Sequence, residues 1–321
     1  MNPTGWKSAV LTTAVGVGLA LLLPMMANKG VVFLVGLLAT NIVFALSWNL
    51  LFSGAGLLTF GHAMFLAAGS YTFAVLTLNM PGVPFLLALG LAMVAGGVLA
   101  GIIGIVALRR SSGTYFAVLT LAFAALVHIV ITKTDLLGRN DGLVGIRRPV
   151  IDMGLFTIDL RGDAYYVFII LAMGAAALAL WAFQHSPAGR TLQAIRQDPM
   201  RAAFLGANVQ AWQLFAFVVA GMFAALAGAV QAPWSQIVSP EIAHWSHSTM
   251  PVLFTLLGGA KRFWGPALGA VLFAVLEYAT RNMHGVADMT IGLLLLIVVL
   301  AVPGGVMGLL ARLRPAAEGK A

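Results

Sequence analysis

The sequence predicts an all-α polytopic membrane protein whose transmembrane helices, about eight to ten in number by apolar run length, are broken at Gly-rich points. Three observations carry that fold class. Of the 321 residues, 61% are hydrophobic and only 9% charged, with a mean hydropathy of +0.98, whereas a soluble domain carries about a quarter charged residues. Apolar runs of roughly 17–25 residues, each enough to cross a ~30 Å hydrocarbon core as a helix, recur along the whole length. No strand-period alternation is sustained over about ten residues, the pattern a membrane barrel needs. The chain reads as a single transmembrane domain, 1–321.

Taken in order, the spans fall near 9–26, 31–51, 59–79, 84–107, 114–132, 164–184, 210–231, 248–258, 265–281 and 289–310. The first follows Lys7 and ends at MMANK, which offers no clear small-x-small cleavage site, so it reads as a retained span rather than a signal peptide. The second runs into SGAGLLTFG, 53–61, a Gly-rich interruption before the third. The fourth closes on Arg109 and Arg110, and the sixth and seventh flank a polar loop, 185–209. The eighth is too short to cross alone, since about eleven residues rise only ~16 Å. With SPEIAHWSHSTMP leading into it, it reads as a broken or partly buried segment. Non-helical backbone at depth is tolerated against protein or a water-filled cavity, and paired interruptions point toward a transporter's substrate path. A simple kink or a displaced loop fits the same pattern. The GxxxG steps Gly97–Gly101, Gly265–Gly269 and Gly304–Gly308 suit close helix packing.

Alternating spans gather Lys7, Arg109, Arg110, Arg190, Arg196, Arg201, Lys261, Arg262, Arg312, Arg314 and Lys320 on one side, with only Asp198 and Glu318 as acids. The other side is roughly neutral. The positive-inside rule then puts both termini and the 185–209 loop in the cytoplasm, and 133–163 becomes the large periplasmic loop. An isoelectric point near 10.3 therefore reflects membrane orientation rather than nucleic-acid binding. The absence of cysteine excludes disulfides and thiolate metal sites.

The loop contains RQDPMRAAFLGAN, 196–208, a fully punctuated short helix. Asp198 suits the N-cap, Pro199 the first helical position, and Gly206 the left-handed closing residue. The preceding GRTLQAIRQ sets Arg190, Gln193, Arg196 and Gln197 around Leu192 and Ile195 at amphipathic helical spacing. Met200, Ala203 and Phe204 share one face, and Ala202 and Ala203 would let another surface come close. Exposed apolar residues of this kind suit either a protein partner or the lipid headgroups.

Within the spans, His62 is a gate or path residue, or a partner for a carbonyl freed at the Gly break. Asn49, Thr59 and Ser70 are candidates for the same interior. Glu277 and Arg281, four apart, suit an intrahelical ion pair or a contact with an outer protein. The outer Asp residues form no metal constellation, there is no GxxxxGK[ST] phosphate loop, and no HExxH is present. A stand-alone ion-coupled transporter would need buried carboxylates.

Several blocks, in order, resemble one family. The 185–209 loop is similar to the EAA-type loop of ATP-binding cassette importer permeases, in the variant of the branched-chain amino acid permeases of the LivM type. NLLFSGAGLLTFGHAMFLAAGSYT (49–72), ALRRSSGTYFAVLTLAF (107–123), NDGLVGI (140–146), SPEIAHW (239–245), LLGGAKRFWGPALGA (256–270) and PGGVMGLL (303–310) resemble that family's further blocks, covering roughly 30–310. The resemblance implies a type II-like importer permease in a bacterial inner (plasma) membrane. It implies two cytoplasmic ATP-binding subunits, a second homologous permease, a periplasmic solute-binding protein and surrounding membrane lipid as partners. The chain itself would be no enzyme and hold no cofactor, ATP being bound by the partners. Gly189, Arg190, Arg196, Asp198, Met200, Arg201, Ala202, Ala203, Phe204 and Gly206 would form the ATPase-coupling segment. Branched-chain amino acids are the implied cargo, with urea, amides or aromatic acids as alternatives. The chain departs from the family where Met200 and Arg201 replace a common acidic residue, at Ala124–Ala125, and around Val302.

Overall fold

Lipid tails are as apolar as leucine, so helices inside a membrane associate by shape and hydrogen bonding, which favours small residues at their contacts. The computed structural model, which describes residues 3–80, 82–110, 113–148, 150–152, 157–160, 163–280, 289, 292–293, 296 and 304–313, follows that rule. Its helices are α1 (Pro3–Met26), α2 (Lys29–Asn49), α3 (Ala63–Asn79), α4 (Phe85–Arg110), α5 (Thr114–Lys133), α6 (Asp163–His185), α7 (Pro187–Gln197), α8 (Pro199–Phe204), α9 (Val209–Ser235), α10 (Trp245–Gly258), α11 (Gly265–Thr280) and α12 (Gly305–Leu313). Among the described residues six helical stretches are long and apolar enough to cross a membrane: Gly5–Met25, Lys29–Ala55, Phe85–Arg109, Thr114–Lys133, Asp163–His185 and Val209–Ser235. Ala63–Asn79 and Gly265–Thr280 are shorter apolar helices.

The axis of the bundle is α9, which packs on α4, α3 and α2. Its buried stripe is Ala220, Gly221, Ala224, Ala225 and Gly228. The α3 and α9 backbones touch: a Cβ on Gly69 would land on the Ala225 carbonyl, and one on Gly228 would land on that of Leu66. The opposite surfaces carry exposed Leu91, Val94, Val98 and Ile102 of α4, the side chains lipid accepts. Buried aromatics bring a polar handle that finds a carbonyl. Tyr165 Oη donates to Val230 O at 2.8 Å, Tyr166 Oη to Ala20 O at 2.6 Å, and Trp234 Nε1 to Phe33 O at 3.0 Å.

The structure adjusts several sequence-based boundaries. The third span starts at Ala63 rather than 59, because 56–62 is irregular. The eighth starts at Trp245, and the seventh continues to Ser235. Most of the 289–310 span lies outside the described residues. The α4–α9 contact is tightest at Gly96, against Ala225 and Gly221; Gly97 meets the Met222 side chain, and Gly101 makes only ordinary contact with Val218. The Gly265–Gly269 step does sit at a close approach, α10 against α11, facing Gly258 and the Phe254 carbonyl. The 133–163 segment holds a 3-10 turn, Asp135–Leu137, and strands too short for alternation to reveal. β1 (Leu143–Val144) pairs antiparallel with β4 (Ile237–Val238), and β2 (Val150–Asp152) with β3 (Thr157–Asp159).

Gly228→Leu should lower stability in detergent by about 1–3 kcal/mol, the usual cost of overpacking. Gly18→Leu, where nothing lies within 4 Å of the added carbon, should change the melting temperature little; thermal unfolding of the two variants checks the difference.

Candidate functional site

Two crossings are interrupted, and they meet. After α2 the chain forms a π-helical turn, Leu50–Ala55, and Gly56 takes a left-handed conformation (φ 71°) that closes it. Leu57 N donates to Leu51 O at 2.9 Å. Residues 57–62 then return beside the end of α2. Trp48 Nε1 donates to Thr59 O at 2.8 Å, and Thr59 Oγ1 accepts from Gly61 N at 3.2 Å. Phe60 N donates to Thr120 Oγ1 of α5 at 3.3 Å, and Gly61 lies where any Cβ would strike the Thr120 carbonyl.

On the other crossing, α9 ends with Gln236 in left-handed conformation. The chain continues through β4 and a 3-10 turn, Pro240–Ala243, before α10 begins. His128 Nδ1 of α5 donates to Pro240 O at 3.1 Å. The two interruptions close on each other where Ala63 N, at the first residue of α3, donates to Ser248 Oγ in the first turn of α10 at 2.9 Å. An N–H that lacks an intrahelical acceptor is thereby satisfied from a distant helix.

His62, Phe44 and His247 stack beside this contact, with ring centroids 5.3 Å and 6.0 Å apart on the two sides of Phe44. His62 is fully buried, and its Nε2 lies 2.9 Å from Ser47 Oγ. The Ser47 hydroxyl also reaches Phe44 O at 2.8 Å. A hydroxyl has one proton; with it on the carbonyl, His62 carries its own proton on Nε2 and presents a lone pair at Nδ1. That Nδ1, Asn49 Oδ1 and His247 Nε2 are buried and meet no partner among the described residues. His62 Nδ1 and His247 Nε2 are thus buried imidazole nitrogens beside the heads of α3 and α10, chemistry suited to hydrogen-bonding a polar solute.

Of the residues singled out from sequence, Thr59 and His62 both lie on the 57–62 segment, tied to Trp48 and Ser47 of α2, and Asn49 ends α2 with its Oδ1 buried. His62 bonds a serine side chain, not a carbonyl freed at the break. Ser70 stands apart: it is buried at the α3–α9 contact and donates to Leu66 O at 3.0 Å, beside Gly228, so it serves packing. Ser47, Phe44, His247 and Ser248 escaped the sequence reading, although the polar run WSHS at the head of a short span was a usable signal. Arg281 lies outside the described residues, so the Glu277–Arg281 pair does too.

The 185–209 loop is built from two capped helices. Ser186 caps α7, accepting from Gly189 N at 3.3 Å, and buried Leu192 and Ile195 hold α7 against the bundle. Asp198 Oδ1 caps α8, accepting from Arg201 N at 2.9 Å. Pro199 opens α8, and Gly206 (φ 91°) follows it. An exposed Arg201–Asp198 ion pair at 3.4 Å adds little stability. Met200, Phe204 and Leu205 are 72%, 86% and 84% exposed. Arg190, Arg201 and Ala203 are exposed as well. Two expected contact residues turn inward. Ala202 is buried, so its small side chain serves the loop's own packing rather than an outside surface. A Cβ on Gly189 would land on the Gln184 carbonyl, so this glycine permits the α6–α7 bend. Arg196 points at the π-helical turn, its Nη1 2.5 Å from Ser53 O.

The family model described as the permease component of branched-chain amino acid transport systems matches residues 30–302, which include both interruptions and the two-helix loop. The chain belongs to this permease family. The high-affinity branched-chain amino acid transport system permease protein LivM of Escherichia coli K12 is 27% identical over 313 residues, 90% of this chain and 72% of its own. LivM of Salmonella typhimurium LT2 is 26% identical over 305 residues, 88% of this chain and 71% of its own. No solved structure matches significantly. The permease is therefore a multi-pass, all-α transport subunit of the ATP-binding cassette class.

Ser248→Ala should strand the Ala63 amide and cost about 1–3 kcal/mol, the penalty for an unmet buried donor. Ser246→Ala, on exposed Ser246 two residues away, should cost less; melting curves of the purified permease compare them.

Proposed function

We propose that the permease moves branched-chain amino acids across the bacterial inner (plasma) membrane, driven by two cytoplasmic ATP-binding subunits that grip α8. One observation carries this reading: a six-residue helix, capped at both ends, holds Met200, Phe204 and Leu205 out into solvent. Apolar side chains fixed in that position gain free energy by entering a groove, and the small, capped helix presents them with little ordering entropy left to lose. Basic residues accumulate on the same side of the chain, which supports cytoplasmic termini and a cytoplasmic 185–209 loop, with 133–163 periplasmic.

In this reading a second homologous permease completes the pathway, and a periplasmic solute-binding protein delivers cargo. ATP is bound and hydrolysed by the partners, and the whole chain acts as one transmembrane domain. Nucleotide shifts the permease only to the extent that the ATPase states hold α8 differently. Asn49, Thr59 and His62 supply buried polar groups for the path. Similarity to two LivM proteins supports branched-chain cargo over urea, amides or aromatic acids.

The combined change Met200→Glu and Phe204→Glu should cut recovery of the ATPase subunits with the tagged permease about tenfold or more, as loss of apolar interface anchors does. Normal recovery would sink the contact. Cysteine placed at Ala203 should react with a membrane-impermeant thiol reagent from the cytoplasmic side only, and cysteine at exposed Val144 from the outside only. Uphill uptake by the isolated chain in liposomes without nucleotide would overturn the ATP-driven reading altogether.

A further inference from the structure

Arg196 does not share the outward face of α8. It sits in the last turn of α7 and reaches across to the end of α2. Its Nη1 meets Ser53 O at 2.5 Å, and its Cγ lies 3.1 Å from where a Cβ on Gly56 would be. The fit is two-sided. Gly56 is left-handed, which favours glycine, and the missing Cβ gives the arginine stem its seat. The chain leaves helical geometry at Gly56, so Ser53 O has no following turn to bond. A guanidinium, permanently charged and with several N–H groups, supplies that carbonyl with a strong donor.

From that contact a series of bonds runs inward. The π-helical turn leads into 57–62, which is held by Trp48 Nε1 on Thr59 O and by His62 against Ser47. Next comes Ala63 N on Ser248 Oγ, which joins α3 to α10. We infer that Arg196 is a positioning residue that fastens the α7–α8 loop to the interrupted end of α2, so that displacement of the loop is delivered to the place where the two broken crossings meet. The inference rests on the coupling reading above for its consequence in transport, and on geometry alone for the fastening.

The two are separable by experiment. Amide hydrogen exchange of the purified permease, with no partner present, tests the fastening. Arg196→Ala should speed exchange across residues 50–62 about tenfold, the release of one local cooperative unit. Arg196→Lys should fall between that and wild type, and Gln193→Ala on the exposed side of α7 should leave 50–62 unchanged. Unchanged exchange in Arg196→Ala would overturn the proposal. In the assembled transporter, Arg196→Ala should keep its ATPase subunits while substrate moved per ATP hydrolysed falls about fivefold or more, with partial rescue by lysine. Loss of the subunits with normal transport per remaining complex would place Arg196 in the ATPase contact instead and refute the inference. Failure of the Met200 and Phe204 variants to release the ATPase would sink the coupling reading while leaving the exchange result standing.

Discussion

A peptide group that leaves the helix inside a membrane has no water to turn to, and an unmet N–H or C=O there costs several kcal/mol. The structure is organised around meeting that constraint at two places. At the end of α2 the donors and acceptors released by the π-helical turn are taken up by Arg196, Trp48 and Thr120. At the head of α10 the need is met by trading: the amide that opens α3 is answered by a hydroxyl from the first turn of α10. The all-small stripe on α9 answers the companion constraint, that helices in lipid associate by close fit, and lets α3 and α4 pack directly on its backbone.

The arrangement divides the molecule into a part held backbone against backbone and an interrupted part carrying additional cross-segment hydrogen bonds. The α3–α4–α9 packing has backbone against backbone, which resists continuous deformation. The segment 50–62 is largely buried too, with Gly61 against the Thr120 backbone, and adds a set of discrete hydrogen bonds to that packing. Discrete contacts can be exchanged for others, and it is elements of that kind whose equilibrium a distant partner can bias. The buried lone pairs of Asn49 and His62 are consistent with such a division, since a fully satisfied network would leave nothing for a passing solute to bond.

Much of this was legible in the residues. Mean hydropathy and run length predict the helical membrane fold, and Asp198, Pro199 and Gly206 mark α8 to the residue, because capping is a local interaction between neighbours in sequence. What stayed hidden is what depends on partners far along the chain. Ala202 and Phe204 look alike as candidate surface residues until the fold turns one inward and the other out. Ser70 and Ser47 are both serines on apolar helices. Both bond a carbonyl of their own helix, which is a local interaction; only tertiary packing brings Ser47 to His62 and sets Ser70 at the α3–α9 contact. Arg196 looked like one more cation of the loop, since nothing local shows that a glycine 140 positions earlier leaves a seat for it.

The tie between Ala63 and Ser248 joins positions 185 residues apart. During synthesis the ribosome must therefore deliver four further long helices, α4, α5, α6 and α9, and then the head of α10, before the opening turn of α3 acquires its acceptor. Until then that amide lacks the Ser248 hydroxyl it meets in the folded chain. Biogenesis of this chain is consequently ordered: the amino-terminal helices can enter the bilayer as they emerge, but their final arrangement is postponed until α10 arrives.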